Sequence, residues 1–108
     1  MIVTFNLPIK VISEANCRDH WAKKMKRVKS QRSTAFWMCP KFSVPCIVTL
    51  TRIGKRTLDS DNLAGAFKGV RDGIADRIGI DDGSPLIEWR YAQEKGEYGV
   101  RVELCPAE

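Results

Sequence analysis

Cys46-Ile47-Val48-Thr49-Leu50-Thr51-Arg52-Ile53 is the clearest strand in this chain, rich in β-branched residues, and the residues after it decide the fold. Gly54-Lys55-Arg56 bends or interrupts the run. Thr57-Leu58-Asp59 continues it toward Asp59-Ser60-Asp61-Asn62. The hydrophobic period then changes. Leu63, Ala66, Phe67, Val70, Ile74 and Ile78 recur at helical spacing, which predicts a helix over roughly Asn62 to Arg77 with Gly79 as its C-terminal cap. Asp81 to Pro85 reads as a turn. Leu86 to Gln93 reads as a strand, with Ile87, Trp89 and Tyr91 on one face and Glu88 and Arg90 on the other.

Outward from this strand–helix–strand unit, Met1 to Leu7 predicts a first strand that stops at Pro8, and Ile9 to Ser13 is connector. Ser13 or Asn16 is placed to cap a long helix reaching about Trp37. Its apolar positions, Trp21, Met25, Val28, Ala35 and Phe36, form a thin stripe among cations. That pattern predicts one narrow face resting on a sheet and a broad basic face in solvent. Pro40 and Pro45 bracket a loop. Gly96 to Gly99 reads as a hairpin turn, and Val100, Val102 and Leu104 form the inward face of a last strand. The order β-α-β-α-β-β implies an α+β fold, a small mixed sheet with two helices packed on it. A chain of 108 residues makes a single domain. A core this small leaves modest stability, which dimerisation would raise.

The formal net charge is +5, and it is unevenly placed. Between Lys10 and Ala35 stand Lys10, Arg18, Lys23, Lys24, Lys26, Arg27, Lys29 and Arg32, against Glu14 and Asp19 only. Such a block is either a solvated lysine-rich helix or an electrostatic footprint for nucleic acid. Cys17, Cys39, Cys46 and Cys105 have no C-x-x-C spacing, and His20 is the single histidine, which argues against zinc. With no signal peptide, free thiols in a reducing cytoplasm are expected. No apolar stretch approaches the ~20 residues of a membrane span.

Asp59 and Asp61 are two apart. If the strand runs that far, their carboxylates point the same way and repel, and a divalent cation relieves that repulsion. The alternative is that Asp61 caps the second helix and Asp59 belongs to a turn. A calcium-binding EF-hand loop is excluded, because Leu63, Ala64 and Val70 occupy positions it needs for ligands and glycine. At ~100° per residue, Lys68 and Asp72 fall on the Asp61 stripe of a continuous helix. An ammonium there can stabilise charge on a phosphate, or simply pair with Asp72. Gly65, Gly69 and Gly73 leave a bare strip for DNA or a partner helix, or for close packing on the sheet. Asp81-Asp82-Gly83-Ser84 is either an ordinary turn or a second source of carboxylates.

Leu58-Asp59-Ser60-Asp61-Asn62-Leu63, Lys68-Gly69-Val70-Arg71-Asp72-Gly73-Ile74, Ile80-Asp81-Asp82-Gly83-Ser84 and Trp89-Arg90-Tyr91-Ala92-Gln93 together resemble the RusA family of Holliday junction resolvases, in its phage and prophage branch. Asn16-Cys17-Arg18-Asp19-His20-Trp21 with its basic continuation is similar as well. The resemblance implies a homodimeric endonuclease that uses Mg²⁺, or Mn²⁺ in its place, to cut four-way DNA junctions by paired symmetric nicks in recombination and repair. The family's essential carboxylates match Asp59, Asp61 and Asp82. Its lysine stands four residues after the second aspartate in the better-known members, where this chain has Gly65, and the role is carried to Lys68 one turn further on. Arg18, Lys23, Lys24, Lys26, Arg27, Lys29 and Arg32 would then hold flanking phosphates. Three rival expectations use the same residues differently: a non-catalytic nucleic-acid-binding protein, a nuclease of the same fold acting on other branched DNA, and a partner-binding module with the glycine strip, Trp89 and Tyr91 as its interface.

Overall fold

A computed structural model describes residues 2–12 and 21–107, apart from the side chains of Ser60 and Asp61. The elements run β1 (Val3–Leu7), α1 (Trp21–Met38), β2 (Cys46–Gly54), α2 (Ser60–Ala66), α3 (Lys68–Ile78), β3 (Ile87–Lys95) and β4 (Gly99–Pro106). The fold is α+β, with a four-stranded mixed sheet in the order β1-β4-β2-β3. β2 is parallel to β3 and antiparallel to β4, and β1 pairs antiparallel with β4.

Strand period sets which side chains enter the core. Cys46, Val48 and Leu50 on β2, and Val100, Val102 and Leu104 on β4, point to the helical side and are fully buried. Their opposite numbers on β1 are Leu7, Phe5 and Val3. Phe67, Val70 and Ile74 close the core from above. The expected inward faces of the last two strands are observed, and Gly79 caps α3 in the left-handed conformation (φ 96°).

Four expectations are corrected. The segment Gly96–Gly99 is not a hairpin, because β2 lies between β3 and β4. The chain steps over the end of β2 instead, with the Gly96 N–H donating to the Gly54 carbonyl at 3.0 Å. β2 stops at Gly54, so Thr57 to Asp59 is not strand, and Asp59 becomes the N-cap of α2. Asp59 and Asp61 are therefore not paired by strand geometry.

The second helix is also not continuous. It breaks at Phe67 (φ −91°, ψ 7°), whose ring is fully buried and stacks on Tyr91 with centroids 5.8 Å apart. The break ends the stripe that would have joined Asp61 to Lys68. Finally, α1 seats on α3 rather than on the sheet. Ala35 and Gln31 are buried along it, while Trp21 and Met25 are exposed. The reason is glycine. A Cβ on Gly69 would lie 2.7 Å from the Val28 carbonyl, and one on Gly73 would lie 2.7 Å from the Ala35 Cβ. Backbone thus meets backbone where these glycines face α1, whereas a Cβ on Gly65 would meet nothing within 4 Å. The expected caps Ser13 and Asn16 lie outside the described residues.

Cys39, Cys46 and Cys105 are free thiols. No helix among the described residues is long and apolar enough to cross a membrane.

Gly73→Ala is expected to destabilise the protein by about 1–3 kcal/mol through overpacking. Gly65→Ala should stabilise it by about 0.5–1 kcal/mol through helix propensity, both read from urea unfolding. Burial pushes the Cys39 thiol up from 9.0 to about 11. Its contribution is complete below the unfolded-state value and is lost as pH rises through about 11, since the unfolded chain releases that proton first. The stability difference between wild type and Cys39→Ala should therefore narrow over that interval.

Candidate active site

The site is built around the turn that follows α3. Asp81 accepts the Ser84 N–H at 3.0 Å, closing a four-residue turn that presents Asp82. Asp82 is fixed from two directions. Its carbonyl accepts the Trp89 indole N–H at 2.8 Å, and its carboxylate Oδ2 lies 3.2 Å from Arg71 Nη2. The Arg71 guanidinium in turn sits 5.1 Å from the centre of the Trp89 ring.

Lys68 opens α3 and reaches the same place. Its Nζ lies 2.9 Å from Asp72 Oδ1 and 3.9 Å from Asp82 Oδ2, with the side chain 60% exposed. Arg32 arrives from α1, bonding Asp76 through two nitrogens at 2.6 and 2.9 Å and standing 3.9 Å from Asp72. That hydrogen-bonded pairing with Asp76 holds the Arg32 guanidinium even more firmly protonated than usual. Together these residues line a polar cleft of about 240 Å³ with Asp81 on its wall. A larger, more apolar groove of about 660 Å³ adjoins it, sharing Arg32 and Asp72 and walled by Met25, Lys26, Val28 and Lys29.

The structure thus brings together two of the four predicted catalytic residues, Lys68 and Asp82. Asp59 stands apart in sequence at the start of α2, exposed and making no capping bond with its side chain. The side chain of Asp61 lies outside the described residues. Among the described residues no three or more histidine, cysteine or acidic side chains gather as a metal-holding group. Of the predicted phosphate contacts, Lys23, Lys24, Lys26 and Lys29 are exposed on α1 and Arg27 is half-buried, while Arg18 lies outside the described residues. Arg32 pairs with acids of another helix. Its guanidinium is committed to acids of α3 and ties the basic helix to the cleft.

Four contributors are not among the site residues predicted from the sequence. Arg52 is buried on the inward face of β2, where it donates to the carbonyls of Val11 and Arg56 and so fixes the loop leading to Asp59. Gln93 holds Leu58, the residue before Asp59, through both its backbone N–H and its carbonyl. Trp89 and Arg71 hold Asp82. A polar side chain at an inward strand position, as at Arg52 and Gln93, is the signal that could have found the first two.

No protein-family model matches this sequence. The chain is similar to an uncharacterized protein of Xylella fastidiosa (strain Temecula1 / ATCC 700964), 35% identical in an alignment 102 residues long, with 80% of this chain covered. It spans 65% of that relative's length.

Proposed function

We propose that this protein is a metal-dependent endonuclease acting on branched DNA, and that four-way junctions are its substrate. The observation that carries the reading is the cleft in which Lys68 and Asp82 approach to 3.9 Å, opening into a groove edged by Lys26 and Lys29. An ammonium beside a carboxylate at the end of a cationic track suits chemistry on a phosphodiester.

The donor set fits a hard divalent cation in kind. Asp59 spends no side-chain oxygen on capping its own helix, and carboxylate oxygens are the ligands such an ion takes. Asp59, Asp61 and Asp82 are the residues that would hold Mg²⁺ or Mn²⁺, which when bound activates water and offsets charge on the phosphate. The chain's own groups do the rest. Lys68, on the cleft rim, offers its charge to the non-bridging phosphate oxygens as they gain charge. Arg71 keeps Asp82 oriented. The exposed lysines of α1 hold flanking backbone phosphates and set register without reading sequence. Hydrolysis then adds the water oxygen to phosphorus and leaves a proton on the departing sugar oxygen. A two-fold homodimer would present two such clefts to a pseudo-symmetric junction, so that opposite strands are nicked alike.

One observation favours a second reading, a DNA-binding protein without nuclease activity. The Asp82 carboxylate already has Arg71 and Lys68 as counterions. A labelled four-way junction and a linear duplex of equal length, with Mg²⁺ or with EDTA, separate the two. Paired nicks on the junction alone, lost in EDTA and in Asp61→Asn and Asp82→Asn, are expected. Junction binding with no cleavage under any divalent metal would leave only the second reading. Lys26→Ala and Lys29→Ala should each weaken binding and reduce the slope of log affinity against log salt by about 1.

A further inference from the structure

The two acid-bearing segments are separated in sequence by α2 and α3, yet both are tied to one strand. The Gln93 carboxamide accepts the Leu58 N–H at 2.8 Å and donates to the Leu58 carbonyl at 2.7 Å. Taking both backbone groups of one residue fixes the chain in translation and in tilt, as a strand partner would. Four residues back on the same face, Trp89 donates to the Asp82 carbonyl at 2.8 Å. Between them, Tyr91 stacks on Phe67 at the α2–α3 break. Three successive inward positions of β3 therefore hold the approach to Asp59, the pivot between the helices, and the turn carrying Asp82.

β3 is suited to this task. It pairs with β2 in unbroken register from Cys46↔Ile87 to Gly54↔Lys95, so its side chains are set at strand spacing. The anchors at Trp89 and Gln93 are thus ~13 Å apart along the strand, at ~3.3 Å per residue. Both are uncharged side chains bonded to backbone rather than to the acids themselves. Such contacts use no carboxylate oxygen while fixing where the acids start.

We infer that Gln93 and Trp89 are positioning residues that set Asp59 in register with Asp82 to receive one hard divalent cation. The inference rests on the metal-dependent reading above. Its content is the geometry of the carboxylates, so cation affinity tests it more directly than turnover.

Mn²⁺ binding to the whole chain, followed by the electron paramagnetic resonance of the free ion, is the measurement. It is made at a temperature where circular dichroism shows every variant folded. Gln93→Met keeps length and volume but loses both bonds to Leu58. Trp89→Phe keeps a ring beneath Arg71 but loses the N–H to Asp82. Each should weaken Mn²⁺ binding about 10- to 100-fold, the range seen when groups orienting metal ligands are removed. Glu94→Gln, on the opposite face of β3, should bind as wild type does. Wild-type Mn²⁺ affinity in both Gln93→Met and Trp89→Phe would overturn the positioning role and leave the nuclease reading standing. A folded wild type that takes up no Mn²⁺ would instead remove the cation site, and this inference with it.

Discussion

The seat of α1 on α3 is the constraint on which the rest of the helical layer depends. Gly69 and Gly73 remove the side chains that would hold the helices apart, so the Val28 carbonyl and Ala35 Cβ come within what would be collision distance of any larger residue. Glycine in a helix weakens it by about 1 kcal/mol relative to alanine, and close packing offsets that loss here. With α1 so placed, α3 is used on every side. Val70 and Ile74 enter the core, the glycines take α1, and Lys68, Asp72 and Asp76 remain for the cleft. Arg32 can reach Asp76 only because the helices are this close.

The charges of the cleft are balanced but loosely held. Lys68 is shared between Asp72 and Asp82 and stays largely exposed, and exposed ion pairs of this kind are worth only about 0–1 kcal/mol. A phosphate group would therefore displace carboxylate from ammonium at little energetic loss. Arg71 differs from Lys68. Its guanidinium is wedged between the Trp89 ring and the Asp82 carboxylate, with its side chain 25% exposed, so it serves as a fixture rather than as a mobile counterion.

Much of the sheet was legible in the sequence because period-2 patterns survive burial: Ile87, Trp89, Tyr91, Val100, Val102 and Leu104 face as their alternation says. The order of strands was not legible. The stretch Glu94 to Gly99 is equally suited to a hairpin and to a step across one strand, and only the partner of β2 decides between them. The break at Phe67 was hidden for a related reason. Leu63, Ala66, Phe67 and Val70 keep helical spacing on both sides of the break, while the pull of Tyr91 on Phe67 is a tertiary effect. Of the candidate site, Lys68 and Asp82 lie in one cleft. The pairing of Arg32 with Asp76 was not legible, because charge count carries no information about partners 44 residues away.

The polar residues at inward strand positions answer a demand of the backbone. A loop that passes beneath a helix layer has backbone N–H and carbonyl groups that neither strand nor helix satisfies. Apolar side chains cannot supply the missing bonds, so some inward positions must be polar. Arg52 meets this need at Val11 and Arg56, and Gln93 meets it at Leu58. Both residues flank the path to Asp59, where the chain leaves β2 and has not yet begun α2. Trp89 does the same for Asp82 with its indole nitrogen while its ring remains apolar. The segments that carry the acids are thus the ones whose backbones the sheet satisfies through side chains. That dependence makes the placement of these segments a property of β2 and β3 as well as of the loops.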